Sequence, residues 1–223
     1  MINFFEPWPK IPRLFSKCVV TEKIDGTNAQ ILVMDSRTLE PRELEQAIED
    51  ADKGRAIRRN LLFMYAFSRK RHIWPGKDNF AFASWVSGNQ DVLLDTLGPG
   101  RHFGEWWGEG VGRQYGAEGK RLSLFNTARW GWLNDEEVRA DSGVGDLPLY
   151  SVPVLYAGKF GLEPLQDSVT RLANDGSVAM PGFMEPEGIV CFFQDAGAPF
   201  KYVMKGDAHK LEDDAQLRLH EVA

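Results

Sequence analysis

Short apolar runs alternate along the chain with polar breaks that contain glycine or proline, a pattern typical of many short strands. Two such runs, 18–20 and 29–34, flank a polar segment that contains Asp25-Gly26. Because Asp-Gly tolerates the positive φ angles of a tight turn, this pattern predicts strand, turn and strand over about 18–34. Lys23 is then held at the end of the first strand.

The remaining pattern predicts more strands than helices. A buried strand is predicted over 61–67, and later strands are predicted at 102–107, 121–127, 149–156, 188–194 and 199–205. Helices are predicted from Pro41, whose missing N–H is harmless in a first turn, and over about 80–97 and 164–174. Since strands and helices do not alternate regularly, we expect an α+β fold with antiparallel sheets.

Composition describes an ordinary globular chain of 223 residues, of which 43% are apolar. No apolar run approaches the roughly 20 residues that a membrane span requires, and the N-terminus lacks the pattern of a signal peptide. Cys18 and Cys191 both lie in apolar runs, which predicts buried free thiols. We therefore expect a protein of the reducing cytoplasm.

The net charge of −6 argues against non-specific binding to nucleic acid. One stretch, 53–77, departs from this balance because it contains eight Lys or Arg residues and no acid. A locally basic face on an acidic protein suits a phosphate-rich ligand held at a defined place. For residues 53–59 alone, a solvated helix face with scattered ion pairs explains the pattern equally well.

Lys23 is a candidate nucleophile because it stands at a strand end beside a tight polar turn. A lysine amine attacks phosphorus only when it is neutral, so a nucleophilic lysine needs burial or nearby cations. A solvated lysine beside an ordinary turn explains the local pattern as well. The rest of the chain has to supply cations, metal-binding carboxylates and an aromatic pocket.

The segment from Glu22 to Asn28 (E-K-I-D-G-T-N) resembles motif I of the covalent nucleotidyltransferase superfamily of polynucleotide ligases and mRNA capping enzymes. Its Thr-Asn ending is most similar to the RNA-ligase-2-like branch of the RNA ligases. The resemblance implies an adenylyltransferase domain whose antiparallel sheets, flanked by helices, surround an ATP cleft. It also implies that Glu22, Lys23, Asp25 and Asn28 bind the nucleotide.

Three later residues continue the resemblance in order. Arg69, with Arg71 as a near alternative, resembles the arginine that contacts the ribose and phosphate of the nucleotide. Glu105 resembles the motif III carboxylate, which binds a ribose hydroxyl or a metal through water, and Phe125 resembles the motif IIIa aromatic that stacks on the purine. From the residues alone, a surface charge, a salt-bridged carboxylate and a core phenylalanine are the respective alternatives.

The last two motifs are carried by a carboxylate and two lysines. Glu187, at the start of an apolar strand, resembles motif IV and would hold Mg²⁺ or Mn²⁺ against the triphosphate. Lys201 and Lys205 stand where motif V belongs, and strand alternation puts both on one face. The family usually spaces these lysines two apart rather than four, so which of them acts in catalysis stays open.

The glycine-rich stretch 108–119 does not lie between a strand and a helix, so we interpret it as a flexible rim rather than a phosphate loop. Arg113 and Tyr115 within it are candidates to contact a substrate strand.

The resemblance implies an ATP-dependent RNA ligase that forms lysyl-AMP on Lys23 and joins 5′-phosphate to 3′-hydroxyl RNA ends, which include nicks in a duplex. We expect one domain over 1–223, with motifs over about 23–205, no separate C-terminal OB-type domain and no membrane. Strand binding would then involve a protein partner or the 41–60 insertion. The alternatives are a minimal DNA ligase, a GTP-using capping guanylyltransferase and a catalytically silent nucleic-acid end-binding module.

Overall fold

The computed structural model describes residues 6–204, which contain two β-sheets and six α-helices. The strands are β1 (Lys17–Lys23), β2 (Thr27–Asp35), β3 (Ile57–Arg59), β4 (Leu62–Ser68), β5 (His72–Ile73), β6 (Gly100–Gly108), β7 (Lys120–Leu124), β8 (Leu149–Ser151), β9 (Val154–Lys159), β10 (Gly188–Phe193) and β11 (Ala198–Val203). The helices are α1 (Pro41–Asp52), α2 (Phe82–Gly88), α3 (Gln90–Leu97), α4 (Thr127–Trp130), α5 (Glu136–Asp141) and α6 (Leu162–Asp175).

The small sheet has the strand order β11-β10-β1-β9, and all of its pairs are antiparallel. The large sheet has the order β3-β4-β2-β6-β7-β8, with β5 also paired to β4. Its pairs are antiparallel except for β7 and β8, which are parallel. The predicted α+β fold with antiparallel sheets is therefore confirmed.

The connection between β1 and β2 differs from the predicted turn. The two strands form no hairpin, because β1 pairs in the small sheet and β2 in the large sheet. Neither Asp25 nor Gly26 has a positive φ. Glycine is needed at position 26 for a close approach instead, since a Cβ there would lie 2.5 Å from the carbonyl oxygen of Trp106.

Three further boundaries differ from prediction. The helix predicted over 80–97 is two helices, α2 and α3, that meet at Asn89. The strand predicted over 149–156 is divided at Pro153, which cannot donate to a ladder, into β8 of the large sheet and β9 of the small sheet. The strand predicted over 121–127 ends at Leu124, because the Asn126 side chain caps α4 by accepting from the Arg129 N–H.

Each sheet has its own hydrophobic core. The larger core lies between the large sheet and α2 and α3, where Trp106, Leu94 and Ile31 are buried. The smaller core packs α6 on the small sheet and contains Cys18 and Cys191, which confirms the prediction of buried free thiols. α1 begins at Pro41 as predicted and packs on the opposite face of the large sheet through a third cluster. Within residues 6–204, no helix has the length and apolarity to cross a bilayer.

Candidate nucleotide site

Lys23 and Glu187 meet at the end of the small sheet. Lys23 is the last residue of β1 and pairs with Gly188, the first residue of β10. Glu187 directly precedes that strand, and the Lys23 ammonium donates to its carboxylate Oε2 in an ion pair. The two side chains are 22% and 15% exposed, so the pair faces a partly solvated space. The fold thus brings together the residues that the motif I and motif IV resemblances selected.

Glu105 approaches the same place from the large sheet. It lies on β6 between Asn28 of β2 and Ser123 of β7. Burial raises the pKa of Glu105 to about 7, against the opposing effect of the Lys23 charge. The nearby carboxylates of Glu187 and Asp25 raise this pKa further, whereas a hydrogen bond from the Gly26 N–H lowers it. Glu105 therefore lies within electrostatic range of Lys23, Glu187 and Asp25.

Phe125 supplies an exposed aromatic ring next to the face of the large sheet that carries Glu105. It follows β7 directly, and its backbone N–H donates to the carbonyl oxygen of Phe103 on β6 at 2.9 Å. The two phenylalanines are 41% and 47% exposed. Because residues two apart on a strand share a face, Phe103 and Glu105 lie on the same face of the large sheet. An apolar platform thus adjoins the carboxylate, as a purine-binding site requires.

Lys201 lies on β11 at a position paired with Val190, which in turn pairs with Thr21. Alternation places Thr21 on the same face of β1 as Lys23. Because Lys201 is aligned with Thr21, it lies on the face of Lys23 but two residues further along the sheet. The position in line with Lys23, through Gly188, is occupied by Val203. Lys205 lies outside the described residues.

The Glu22 carboxylate lies on the opposite side of β1 from the Lys23 side chain. It accepts hydrogen bonds from the Ser177 hydroxyl at 2.6 Å and from the backbone N–H groups of Val178 and Ala179 at 2.8 and 2.9 Å. Burial raises the pKa of Glu22, although these three hydrogen bonds favour its ionised form. The side chain therefore anchors 177–179, and only the backbone of Glu22 lies beside Lys23.

Arg69 and Arg71 are exposed in the turn between β4 and β5. The turn is near the site because Ser68, at the end of β4, pairs with Ala29 of β2. Arg71 donates to the carbonyl oxygen of Asp78 at 3.4 Å. The structure does not bring either guanidinium into contact with Lys23, Glu105 or Glu187.

Two positioning residues, Arg113 and Tyr115, come from the glycine-rich stretch 108–119. The Tyr115 hydroxyl is buried and accepts the backbone N–H of Asp25 at 2.9 Å. Arg113 Nε lies 3.4 Å from the Asp25 carboxylate, and its Nη1 donates to the carbonyl oxygens of Glu185 at 2.8 Å and Pro186 at 3.3 Å. Arg113 thereby ties the turn after Lys23 to the segment before Glu187.

The prediction of a flexible rim at 108–119 was wrong. Gly112 has a φ of 56° and packs so closely on the motif I turn that a Cβ would lie 2.6 Å from the carbonyl oxygen of Asp25. The only sequence signal was a lone arginine and tyrosine among glycines. Their partner, Asp25, is 90 residues from Tyr115 and lies beyond any local pattern.

The carboxylates present suit a metal that is shared with a nucleotide. Within residues 6–204, no group of three or more His, Cys, Asp or Glu side chains is arranged to hold a metal ion. Mg²⁺ is commonly held by one or two carboxylates together with phosphate oxygens and water. Glu187 and Glu105 fit that mode of binding.

A cavity of about 600 Å³ is lined by none of Lys23, Glu105 and Glu187. Trp107, Arg121, Arg139 and Tyr150 line it, together with residues of the α5 region. This cavity is therefore not the space that Lys23 and Glu187 face.

The profile of the family described as RNA ligase matches residues 16–203. The chain belongs to the RNA ligase family. The match spans every motif from Glu22 to Lys201, so the family resemblance drawn from the sequence is confirmed. A comparison of this family member with curated protein sequences gives no match.

This RNA ligase family member shares its fold with solved structures of Naegleria gruberi RNA ligase. A variant of that ligase with ATP and Mn gives a TM-score of 0.53 at 14% identity, over 89% of this chain and 52% of that one. A second variant with ATP and Mn gives 0.52 at 14% identity, over 90% and 52%. The ligase with PPi gives 0.51 at 15% identity, over 89% and 52%. The chain therefore spans about half the length of these ligases.

Proposed function

We propose that this protein is an ATP-dependent RNA ligase whose nucleophile is Lys23. In the first step the neutral Lys23 amine attacks the α-phosphorus of ATP, a P–N bond forms, the bond to pyrophosphate breaks, and the amine proton passes to solvent. An oxygen of an RNA 5′-phosphate then attacks the phosphorus of the bound AMP, and the P–N bond to Lys23 breaks. Finally an RNA 3′-hydroxyl attacks the 5′-phosphorus, which forms the phosphodiester and releases AMP and a proton. Family membership and the placement of Lys23 support this proposal.

The observation that carries the proposal is the meeting of Lys23 and Glu187 opposite Glu105 at the junction of the two sheets. An ammonium held in an ion pair is not a nucleophile, so Lys23 has to leave Glu187 and lose a proton before it attacks. Glu187 and Glu105 would hold the divalent ion, which neutralises triphosphate charge when bound. Such a rearrangement couples nucleotide arrival to activation of the lysine.

The other residues have roles in binding. Phe125 would stack on the purine, a contact that is worth about 1–3 kcal/mol for aromatic–base pairs. Asn28 and Glu105 are neighbours on adjacent strands and would hold the ribose. Lys201 would contact the phosphates with help from Arg69 and Lys205, and Asp25 would act through the position of the motif I turn. We propose that these residues act within one nucleotidyltransferase domain.

The deciding experiment is the intact mass of the protein after incubation with Mg²⁺ and ATP. We expect a gain of one AMP that is absent in Lys23→Ala and retained in Lys17→Ala, a matched change at the exposed other end of β1. No adduct on the folded wild-type protein, if its lysine starts unmodified, would contradict the proposal.

Two parallel incubations separate the alternatives. An adduct with GTP rather than ATP would indicate a capping guanylyltransferase. If the ATP adduct forms, joining of 5′-phosphorylated RNA is then compared with joining of DNA of the same sequence. Joining of DNA alone would indicate a DNA ligase, and no joining of either would indicate an end-binding module.

A further inference from the structure

Residues 69–77, which we name the basic arm, follow β4, include the short edge strand β5 and are anchored at both ends beside the nucleotide site. Ser68, just before the arm, pairs with Ala29 of β2. Just after it, the Asn79 side-chain amide donates to the Thr27 hydroxyl at 3.3 Å. Because Thr27 begins β2 directly after the motif I turn, both ends of the arm are anchored a few residues from Lys23.

The arm carries a cluster of cations whose charge is not neutralised by the described part of the protein. It holds four exposed basic residues and no acid, and exposed Arg58 lies on β3, the neighbouring edge strand. Within residues 6–204, ion pairs involve Lys23, Arg37, Lys53, Arg55, Arg59 and Arg113. None of the arm's cations, nor Arg58, takes part in one. This is unexpected in a protein whose net charge is −6.

The arm also presents an aromatic ring. Trp74 is half-buried, with the Lys77 ammonium 5.5 Å and the Arg55 guanidinium 5.6 Å from its ring centre. A cavity of about 280 Å³ lies beside it and is lined partly by Arg55, Arg58 and Gln90. Cations and an indole thus border one open space.

Cations next to an aromatic ring, all of them but Arg55 without an ion pair among residues 6–204, match the chemistry of a single nucleic-acid strand, which offers repeating phosphates and unstacked bases. A free phosphate would need only one or two of these cations, whereas they extend along the whole arm and onto β3. We propose that the basic arm, with Arg55 and Arg58, binds the single-stranded RNA segment that leads to the end being joined. This inference rests on the proposed function, which places that end at Lys23.

The test compares two triple variants that remove the same total charge. The first, Arg58→Gln/Lys70→Gln/Lys77→Gln, removes unpaired cations. The second, Arg37→Gln/Lys53→Gln/Arg59→Gln, removes cations that are paired with carboxylates. Binding of a fluorescein-labelled, unstructured RNA of about 20 nucleotides is measured by anisotropy between about 50 and about 200 mM KCl.

We expect the first variant to bind the RNA at least about tenfold more weakly at low salt, with a salt slope that is shallower by about 2 because three phosphate contacts are lost. The second variant should stay within about threefold of wild type with an unchanged slope. Equal weakening in both variants, or none in the first, would overturn the inference. So would a blunt duplex that competes as well as the single strand.

Trp74 provides a second measurement that does not depend on charge. The protein has seven tryptophans, and RNA should quench part of their fluorescence. We expect Trp74→Leu to lose most of that quenching, whereas full quenching in a folded Trp74→Leu would exclude base stacking there.

AMP adduct formation on the same variants separates failure of this inference from failure of the proposed function. Arg58, Lys70 and Lys77 lie outside the nucleotide site, so the first triple variant should form the adduct as wild type does. A normal adduct with unchanged RNA binding refutes only the arm's role. A wild type without any adduct refutes the ligase proposal, whatever the binding result.

Discussion

The two sheets differ in the residues that they contribute to the proposed reaction and to the hydrophobic core. The small sheet presents the charged groups of the proposed chemistry: Lys23 and Glu187 meet at its end, and Lys201 lies further along β11. The large sheet contains the larger hydrophobic core and presents mainly binding groups, such as Glu105 and Phe125. Reactive groups at a sheet end contribute little to the core, so chemistry and stability should respond to different substitutions.

The largest effect on chemistry is expected from Glu187→Gln. We predict that the rate of AMP adduct formation falls at least about 100-fold. The reason is that the Glu187 carboxylate is proposed to bind the metal ion and thereby to give up its ion pair with Lys23. The free energy of unfolding should change by less than about 1 kcal/mol, since the ion pair with Lys23 is partly solvated. Single-turnover mass measurements and urea unfolding check both parts.

Asp195→Asn, a matched change in the exposed turn between β10 and β11, is the control for Glu187→Gln. It should leave both quantities unchanged. A stable Glu187→Gln protein with a normal rate of adduct formation would remove Glu187 from the proposed site.

In the large sheet we expect a substitution to lower the stability of the protein instead. Trp106 is buried, its ring centre lies 5.0 Å from that of Trp85, and its indole N–H donates to the Phe80 carbonyl oxygen at 3.0 Å. Trp106→Ala should lower the free energy of unfolding by about 3–5 kcal/mol. The same change at Trp8, which is 84% exposed, should alter it by less than about 0.5 kcal/mol. Equal effects of the two changes in urea unfolding would contradict this account of the core.

A pH-dependent contribution to stability is expected from Glu105, whose pKa burial raises from 4.5 to about 7. Between these values the folded state binds more protons than the unfolded state, so the free energy of unfolding of the metal-free protein falls as pH rises. The loss attributable to Glu105 should total at most about 3 kcal/mol and be complete above pH 7.

Glu105→Gln removes this contribution, so its stability relative to wild type should increase from about pH 4.5 to about pH 7. The variant has to be compared with wild type because burial also lowers the pKa of His102, which makes the free energy of unfolding rise with pH. Urea unfolding in EDTA at several pH values measures the difference. A difference that does not vary with pH would show that Glu105 does not titrate in this range.

The smallest effect is expected where the two sheets are tied together. Arg113→Met removes the link between Asp25 and the segment before Glu187. We predict a rate of adduct formation that is lower by about tenfold, since small misplacements of reacting groups are costly. Arg42→Met, at an exposed position of α1, should have no effect. Rescue by Arg113→Lys would indicate that charge alone suffices, whereas continued loss would indicate that the bidentate fork is required.

The sequence predicted best what depends on local pattern. Most strand positions, the proline start of α1 and the two buried thiols follow from apolar periodicity and residue type. The order of the motifs also selected Lys23, Glu187 and Glu105, which the fold brings to one place. The order of motifs can be read directly from the residue types along the chain, without knowledge of the fold.

Contacts between residues that are far apart in the sequence could not be predicted from local patterns. Glu22 and Glu187 are both glutamates within motif segments, yet Glu22 holds Ser177 on the far side of β1 and Glu187 contacts Lys23. The Arg113 link between Asp25 and the segment before Glu187 joins three segments that are distant in sequence. No local signal distinguishes these cases, because burial and packing decide them.

By itself, the sequence determined the family and the α+β class, and it selected the residues that we propose for the chemistry. Only the tertiary structure decided that β1 and β2 belong to different sheets, so that Lys23 lies at their junction rather than on a hairpin. An alternating pattern of apolar and polar side chains predicts a strand, but it does not predict which other strand it pairs with. Partners are chosen by long-range packing, here the close approach of Gly26 to the backbone of Trp106.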